Sequence, residues 1–278
     1  RHLIAGPIVQ YADVAEMLDS RPFNPSRFAE GARRFVTGLA KKVIMANMCG
    51  AALSHIDPAA PALSLSVAGA WYAAVMYTFQ IYFDFSAYSD MAIGLGRIFG
   101  FDYKENFNYP YISGSITDFW RRWHISLGSF FRDYVYIPLG GSRCSAPRTI
   151  LNMMIVWSLT GMWHGASWNF ILWGMYYGVL LITERFVIGR ERMEKIPYLL
   201  RIPFIFVIAT LGWVLFYHTD LSLAFRQIGA MIGVGRDMKL IDPLTAAVIR
   251  KYSVFPLIAA VASLPVVPGL KKRMGAVR

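Results

Sequence analysis

The chain has 278 residues, 56% of them apolar and only 16% charged, where ordinary soluble domains carry about 25% charge. It is nevertheless basic, with a net charge of +11 from 28 Lys and Arg against 17 Asp and Glu, a pI of about 9.7 and a mean hydropathy of +0.41. The apolar content excludes a disordered chain, long uncharged runs with 15% aromatics argue against a nucleic-acid binder, and a soluble globule of this size has too little interior for so much apolar surface. What remains is an integral membrane protein whose basic residues sit in loops on one side of the bilayer.

In chain order, the sequence opens on Arg1 with no signal-peptide pattern behind it and reads as a fragment that begins partway through a larger protein. Residues 35–56 form a weak apolar run interrupted by Lys41 and Lys42, either an interfacial helix or a span with snorkelling lysines. Five stronger runs are expected to span the roughly 30 Å of hydrocarbon: 62–83, 149–165, 168–183, 202–217 and 253–270, the last broken by Pro256, Pro265 and Pro268. Residues 101–115 read as a polar, aromatic loop holding Asn106, Asn108, Pro110 and Gly114. Residues 116–131 read as one amphipathic helix rich in interfacial aromatics, and 221–234 as a milder one. No repeat or low-complexity tract divides the chain, so 1–278 is taken as one helical membrane domain.

Basic clusters give the orientation. Arg132, Arg143 and Arg148 precede the second span; Arg185, Arg190, Arg192, Lys195 and Arg201 follow the third; Lys271, Lys272 and Arg273 follow the fifth. Alternating crossings put all three on one face, which the positive-inside rule makes cytoplasmic. The 35 residues between Arg148 and Glu184 amount to ~52 Å of helix, two thin crossings with a tight turn near 165–169.

Cys49 and Cys144 belong to no metal or redox pattern. Of the five histidines, His164 ends an apolar run beside Gly161, Gly165 and Ala166. A polar group at membrane depth is a functional candidate, and the small residues let a chain or ligand approach closely; plain helix packing is the competing reading. His124, in Trp120-Arg121-Arg122-Trp123-His124, shares a helical face with Thr117, Trp120, Arg121 and Leu127, or is simply one polar residue on an interfacial helix. Asp84 lies between Phe83 and Phe85, an expensive place for a charge unless it is paired; Asp90 is placed to cap or to pair with Arg97. Zinc-protease, nucleophile-elbow, cysteine–histidine and phosphate-loop motifs are absent from the sequence, so no metal is expected. The chemistry left is an imidazole acting as general base toward a hydroxyl or as a transient acyl carrier.

The runs YFDFSAYSDMAIGLG at 82–96, FWRRWHISL at 119–127, FRDYVYIPLGGSR at 131–143 and WHGASWN at 163–169, with LIAGPIV at 3–9, resemble the membrane-bound O-acyltransferase (MBOAT) family. Within it they are most similar to the branch that O-acetylates exported polysaccharides such as alginate. The resemblance implies an all-α, polytopic membrane protein with a ring of transmembrane and interfacial helices around a tunnel, several of whose spans would precede Leu3. It maps the family's essential histidine onto His164 and a second histidine onto His124, and places Asp84, Trp120, Arg121, Trp163 and Asn169 along the donor and acceptor tunnel. It implies acetyl transfer in the bacterial inner membrane from a cytoplasmic donor, acetyl-CoA, with no bound cofactor. The implied partners are membrane lipid, an extracytoplasmic acetyltransferase and the polysaccharide machinery. A non-enzymatic export conduit and D-alanyl transfer to teichoic acid, in a sister branch with a similar WRRWH run, are the alternatives.

Overall fold

Capping chemistry sets where the helices begin. In the computed structural model, which describes residues 24–59, 65–235 and 238–266 together with Ile8, Ala15 and Met17, the Asn24 side chain accepts the backbone N–H groups of Ser26 and Arg27. Pro25 follows at the first helical position, where its missing N–H costs nothing. Helix α1 (Pro25–Ala40) continues through a π-helical stretch (Lys41–Ala46) into α2 (Asn47–Ser54). Ser66 accepts the Gly69 N–H at 3.2 Å and opens α3 (Val67–Ile98), 32 residues long. A loop with one 3₁₀ turn (Pro110–Ile112) leads to two short helices, α4 (Ile116–Arg122) and α5 (Ile125–Phe131), then a π-helical turn (Arg132–Tyr136). Next come α6 (Ala146–His164) and α7 (Trp168–Ile182), followed by a π-helical stretch (Thr183–Ile188) and α8 (Gly189–Glu194). The remaining helices are α9 (Tyr198–Tyr217), α10 (Leu221–Met231), α11 (Pro243–Lys251) and α12 (Phe255–Ala262). No strand occurs among the described residues.

Glycines let two helix pairs pack backbone to backbone. A Cβ on Gly31 would lie 2.6 Å from the carbonyl of Gly94, and one on Gly38 would lie 2.7 Å from that of Ala87, so α1 and α3 run antiparallel in close contact. In the α6–α7 hairpin, a Cβ on Gly161 would collide with the carbonyl of Phe170, and one on Gly174 with that of Trp157. The small residues before and after His164 therefore admit the neighbouring helix. A three-residue connection, 165–167, joins the two helices, at the turn expected from the sequence.

By length and composition two helices can cross a membrane: Trp168–Glu194 and Tyr198–Tyr217. The pair α11 and α12, bent by 58°, makes a third if it counts as one span. The expectation of five spans is thus reduced. Helix α3 is long enough, but Thr78, Gln80 and Asp84 dilute its apolar stretch, and Arg148, Asn152 and His164 do the same to α6. The run at 253–270 yields only the eight-residue α12 within the described residues. Most of residues 35–56 lie on the long first helical rod, where Lys41 pairs with Asp90 and Lys42 with Asp84 on α3.

The helices meet around a core of large aromatics. Trp173, Trp213, Tyr177 and Phe119 are almost wholly buried, with Trp173 stacked on Trp213 and Phe119 on Tyr177. One end of the bundle gathers the basic loops. Arg185 donates to Ser142 Oγ at 3.0 Å, and Glu184 accepts the backbone N–H groups of Ile116 and Thr117, which ties the start of α4 to the end of the long α7 rod. The first two basic clusters therefore share a face. Lys271, Lys272 and Arg273, and the run at 3–9 apart from Ile8, lie outside the described residues.

Candidate active site

The segment expected as one amphipathic helix is broken at its centre. His124 adopts a left-handed backbone conformation, φ 48° and ψ 53°, which costs a non-glycine L residue about 1–2 kcal/mol. Asn106 compensates. Its backbone carbonyl accepts the Ile125 N–H at 3.0 Å, and its side-chain Oδ1 accepts the Ser126 N–H at 3.1 Å and the Ser126 hydroxyl at 2.9 Å. Those N–H groups begin α5 and have no helical acceptor of their own. Asn106 Nδ2 donates to Ser89 Oγ on α3 at 3.1 Å, so the kink is fastened to the long rod. Asn106 is fully buried, and nothing in the sequence beyond its place in an aromatic loop marked it out.

The kink presents His124 to a cavity of about 960 Å³. His124 is 8% exposed, with Phe85 edge-on at 4.6 Å and Nδ1 3.2 Å from Asn106 Oδ1. It stands between two short helices that do not span; burial pushes its pKa down to about 3, with the nearby His164 adding to the effect, so the imidazole is neutral. Trp120, Trp157 and Thr160 share the wall with His124, while Arg132, Glu184, Arg190, Glu194 and Arg201 line it toward the basic end. The mouth is therefore charged and the inner part aromatic. Trp120 packs against Trp157, Tyr177 and Trp173, with ring centroids 4.7, 4.8 and 5.6 Å apart. Its indole N–H is buried with no protein acceptor among the described residues. Arg121 also lines the cavity, with an exposed side chain.

His164 ends α6 behind this wall. It is not among the lining residues; its ring meets Trp173 edge-on at 5.1 Å and Phe216 at 5.2 Å. Trp173, itself not a lining residue, touches both His164 and Trp120 and so lies between His164 and the cavity wall.

The other expected tunnel residues stand elsewhere. Asp84 pairs with Lys42 on the face of α3 toward the first rod and does not line the cavity. Asp90, expected to cap or to meet Arg97, pairs with Arg34 and Lys41. Trp163 is 54% exposed and lies against Phe130 and Phe131. Asn169 is fully buried; its Nδ2 donates weakly to the Leu215 and Phe216 carbonyls near the end of α9, and its Oδ1 has no partner among the described residues. Among those residues no group of three or more His, Cys, Asp or Glu could hold a metal.

These features define an all-helical membrane protein with an open, histidine-lined cavity. The chain belongs to the membrane-bound O-acyltransferase (MBOAT) family, whose sequence profile matches residues 1–235. It is 46% identical over 235 residues to a protein of Azotobacter vinelandii named "probable alginate O-acetylase", a match covering 84% of this chain and 46% of that protein. A peptidoglycan O-acetyltransferase of Helicobacter pylori is 39% identical over 238 residues, 84% of this chain and 45% of its own length. A teichoic acid D-alanyltransferase of Bacillus subtilis matches a shorter stretch, 38% identical over 118 residues, 40% of this chain and 30% of its own. The chain spans about half the length of the O-acetylating relatives.

Proposed function

We propose that this protein carries the histidine half of a membrane O-acyltransferase that passes an acetyl group from cytoplasmic acetyl-CoA across the membrane toward an exported polysaccharide such as alginate. The observation that carries this reading is the convergence of the two histidine segments on one aromatic partition, with His124 on the cavity wall and Trp173 joining the rings of Trp120 and His164. The charged mouth supports entry of an anionic donor from the basic, cytoplasmic face. In the reaction, an acceptor hydroxyl gives its proton to an imidazole nitrogen as its oxygen attacks the thioester carbonyl. The C–S bond breaks, and the thiolate leaves and takes up a proton. His164 is the base or acyl relay, and His124 orients the donor and assists proton transfer. Asp84 is assigned to its ion pair with Lys42, and Trp163 and Asn169 to packing; Trp120 and Arg121 stay with the donor path, and His164 is kept through its contact with Trp173.

The protein is placed in the bacterial inner membrane as a multi-pass subunit, with an extracytoplasmic acetyltransferase and the polysaccharide machinery as partners. Acetyl is favoured over D-alanyl because the O-acetylating relatives match 84% of the chain at 46% and 39% identity, whereas the D-alanyl relatives match either 40% of it at 38% or 69% of it at only 28%. The test is polysaccharide O-acetylation in cells carrying full-length protein with His164→Ala. Loss of acetylation at normal expression is expected; wild-type acetylation would overturn the catalytic assignment.

A further inference from the structure

We infer that Asn106 is a positioning residue that fixes His124 as its Nδ1–H tautomer and so makes Nε2 the basic nitrogen offered to the cavity. The inference rests on the acyltransferase reading only for its consequence; the tautomer follows from the hydrogen bonds. A backbone N–H can only donate, so the atom of Asn106 that meets the Ser126 N–H at 3.1 Å is the carbonyl oxygen. The same oxygen lies 3.2 Å from His124 Nδ1. A bare Nδ1 there would set two lone pairs against each other; a protonated Nδ1 donates. The one rival donor to Nδ1, the Ser126 hydroxyl, is 3.5 Å from it but 2.9 Å from the Asn106 oxygen, and so bonds to Asn106. Turning the amide to offer its NH₂ instead would set that group against the Ser126 N–H; in the orientation found, the NH₂ donates to Ser89 Oγ at 3.1 Å. With Nδ1 carrying the proton, Nε2 holds the free lone pair. No protein group among the described residues bonds Nε2, and His124 lines the cavity. The orienting group stands behind the base, as a third residue does in other activated base systems.

The experiment is ¹⁵N-histidine NMR of full-length protein in detergent, with the His124 signals identified by their disappearance in His124→Gln. The expected wild-type spectrum shows the Nδ1–H tautomer; the Nε2–H tautomer would overturn the inference whatever the variants do. In Asn106→Asp the carboxylate still accepts from Nδ1, so the tautomer is retained. In Asn106→Ala the preference is lost, and kcat for acetyl transfer falls at least tenfold with KM little changed. An Asn106→Ala protein that folds and keeps both the tautomer and kcat would also overturn it. If the Nδ1–H tautomer is found in a protein that transfers no acetyl group, the tautomer stands and the acyltransferase reading fails.

Discussion

Two regions of the molecule place polar groups among apolar helices and treat them in opposite ways. Between the first rod and α3 with the loop that follows it, acids and bases answer one another: Lys42 meets Asp84, Lys41 and Arg34 meet Asp90 on α3, and in the loop Arg34 also reaches Glu105 and Arg27 meets Asp102. On the cavity wall, two buried donors are left without protein partners among the described residues, the Trp120 indole N–H and Arg201 Nε, and the hydrogen bonds of His124 are made by Nδ1. Each of these charges has an opposite partner, and most of them keep contact with solvent, so little burial cost is left uncompensated. Unpartnered donors and acceptors keep theirs, and such a cost is tolerated where a ligand or substrate supplies the missing partner. The ladder of ion pairs holds helices together, while the cavity wall leaves two donors open to a ligand; other buried orphans, among them Gln80 Oε1 and Ser86 Oγ on α3, lie away from the cavity.

Substitutions can break this contrast. On the cavity wall the largest effect on activity is expected from His124→Gln, which keeps the size and polarity of the side chain but removes the imidazole that assists proton transfer. O-acetyl transfer by the full-length protein should fall about 10²–10⁴-fold with unchanged expression, and near-normal transfer would move His124 out of the chemistry. Asp90→Asn should act on stability instead. It leaves Lys41 unpaired and Arg34 with Glu105 alone, at a cost of about 1–3 kcal/mol, below that of breaking a fully buried pair. Thermal unfolding in detergent should shift down while turnover per folded molecule is preserved; a specific loss of turnover would make the ladder part of the site. The smallest effect belongs to Trp120→Phe, which keeps an aromatic ring on the wall and removes the orphan N–H. A KM for donor raised by up to about tenfold, the worth of one hydrogen bond, is expected, and no change would leave the N–H without a role.

How much of this could be read from the sequence follows from how local each feature is. The α6–α7 hairpin and its turn were legible because apolar runs of spanning length flank the short Gly165-Ala166-Ser167 connection. The histidines stood out as rare imidazoles in apolar surroundings. The break at His124 was not legible. Periodicity across 116–131 reads as continuous helix, and the interruption is imposed by Asn106, 18 residues earlier, which takes over the amide of Ser126. The partner of Asp84 was hidden for the same reason, since Lys42 lies on a different helix; an acid among phenylalanines reads first as paired and second as lining, without naming the partner. The glycines around His164 were read as room for a chain or a ligand, and the structure fills that room with the next helix.

The most direct test is acetyl transfer from labelled acetyl-CoA by purified full-length protein reconstituted in lipid vesicles, with polysaccharide or its carrier enzyme supplied on the outer side. The account predicts label on the acceptor with wild type, and none with His164→Ala or, within detection, with His124→Gln. Passage of polysaccharide with no acetyl transfer would contradict it, and would make the cavity part of an export conduit.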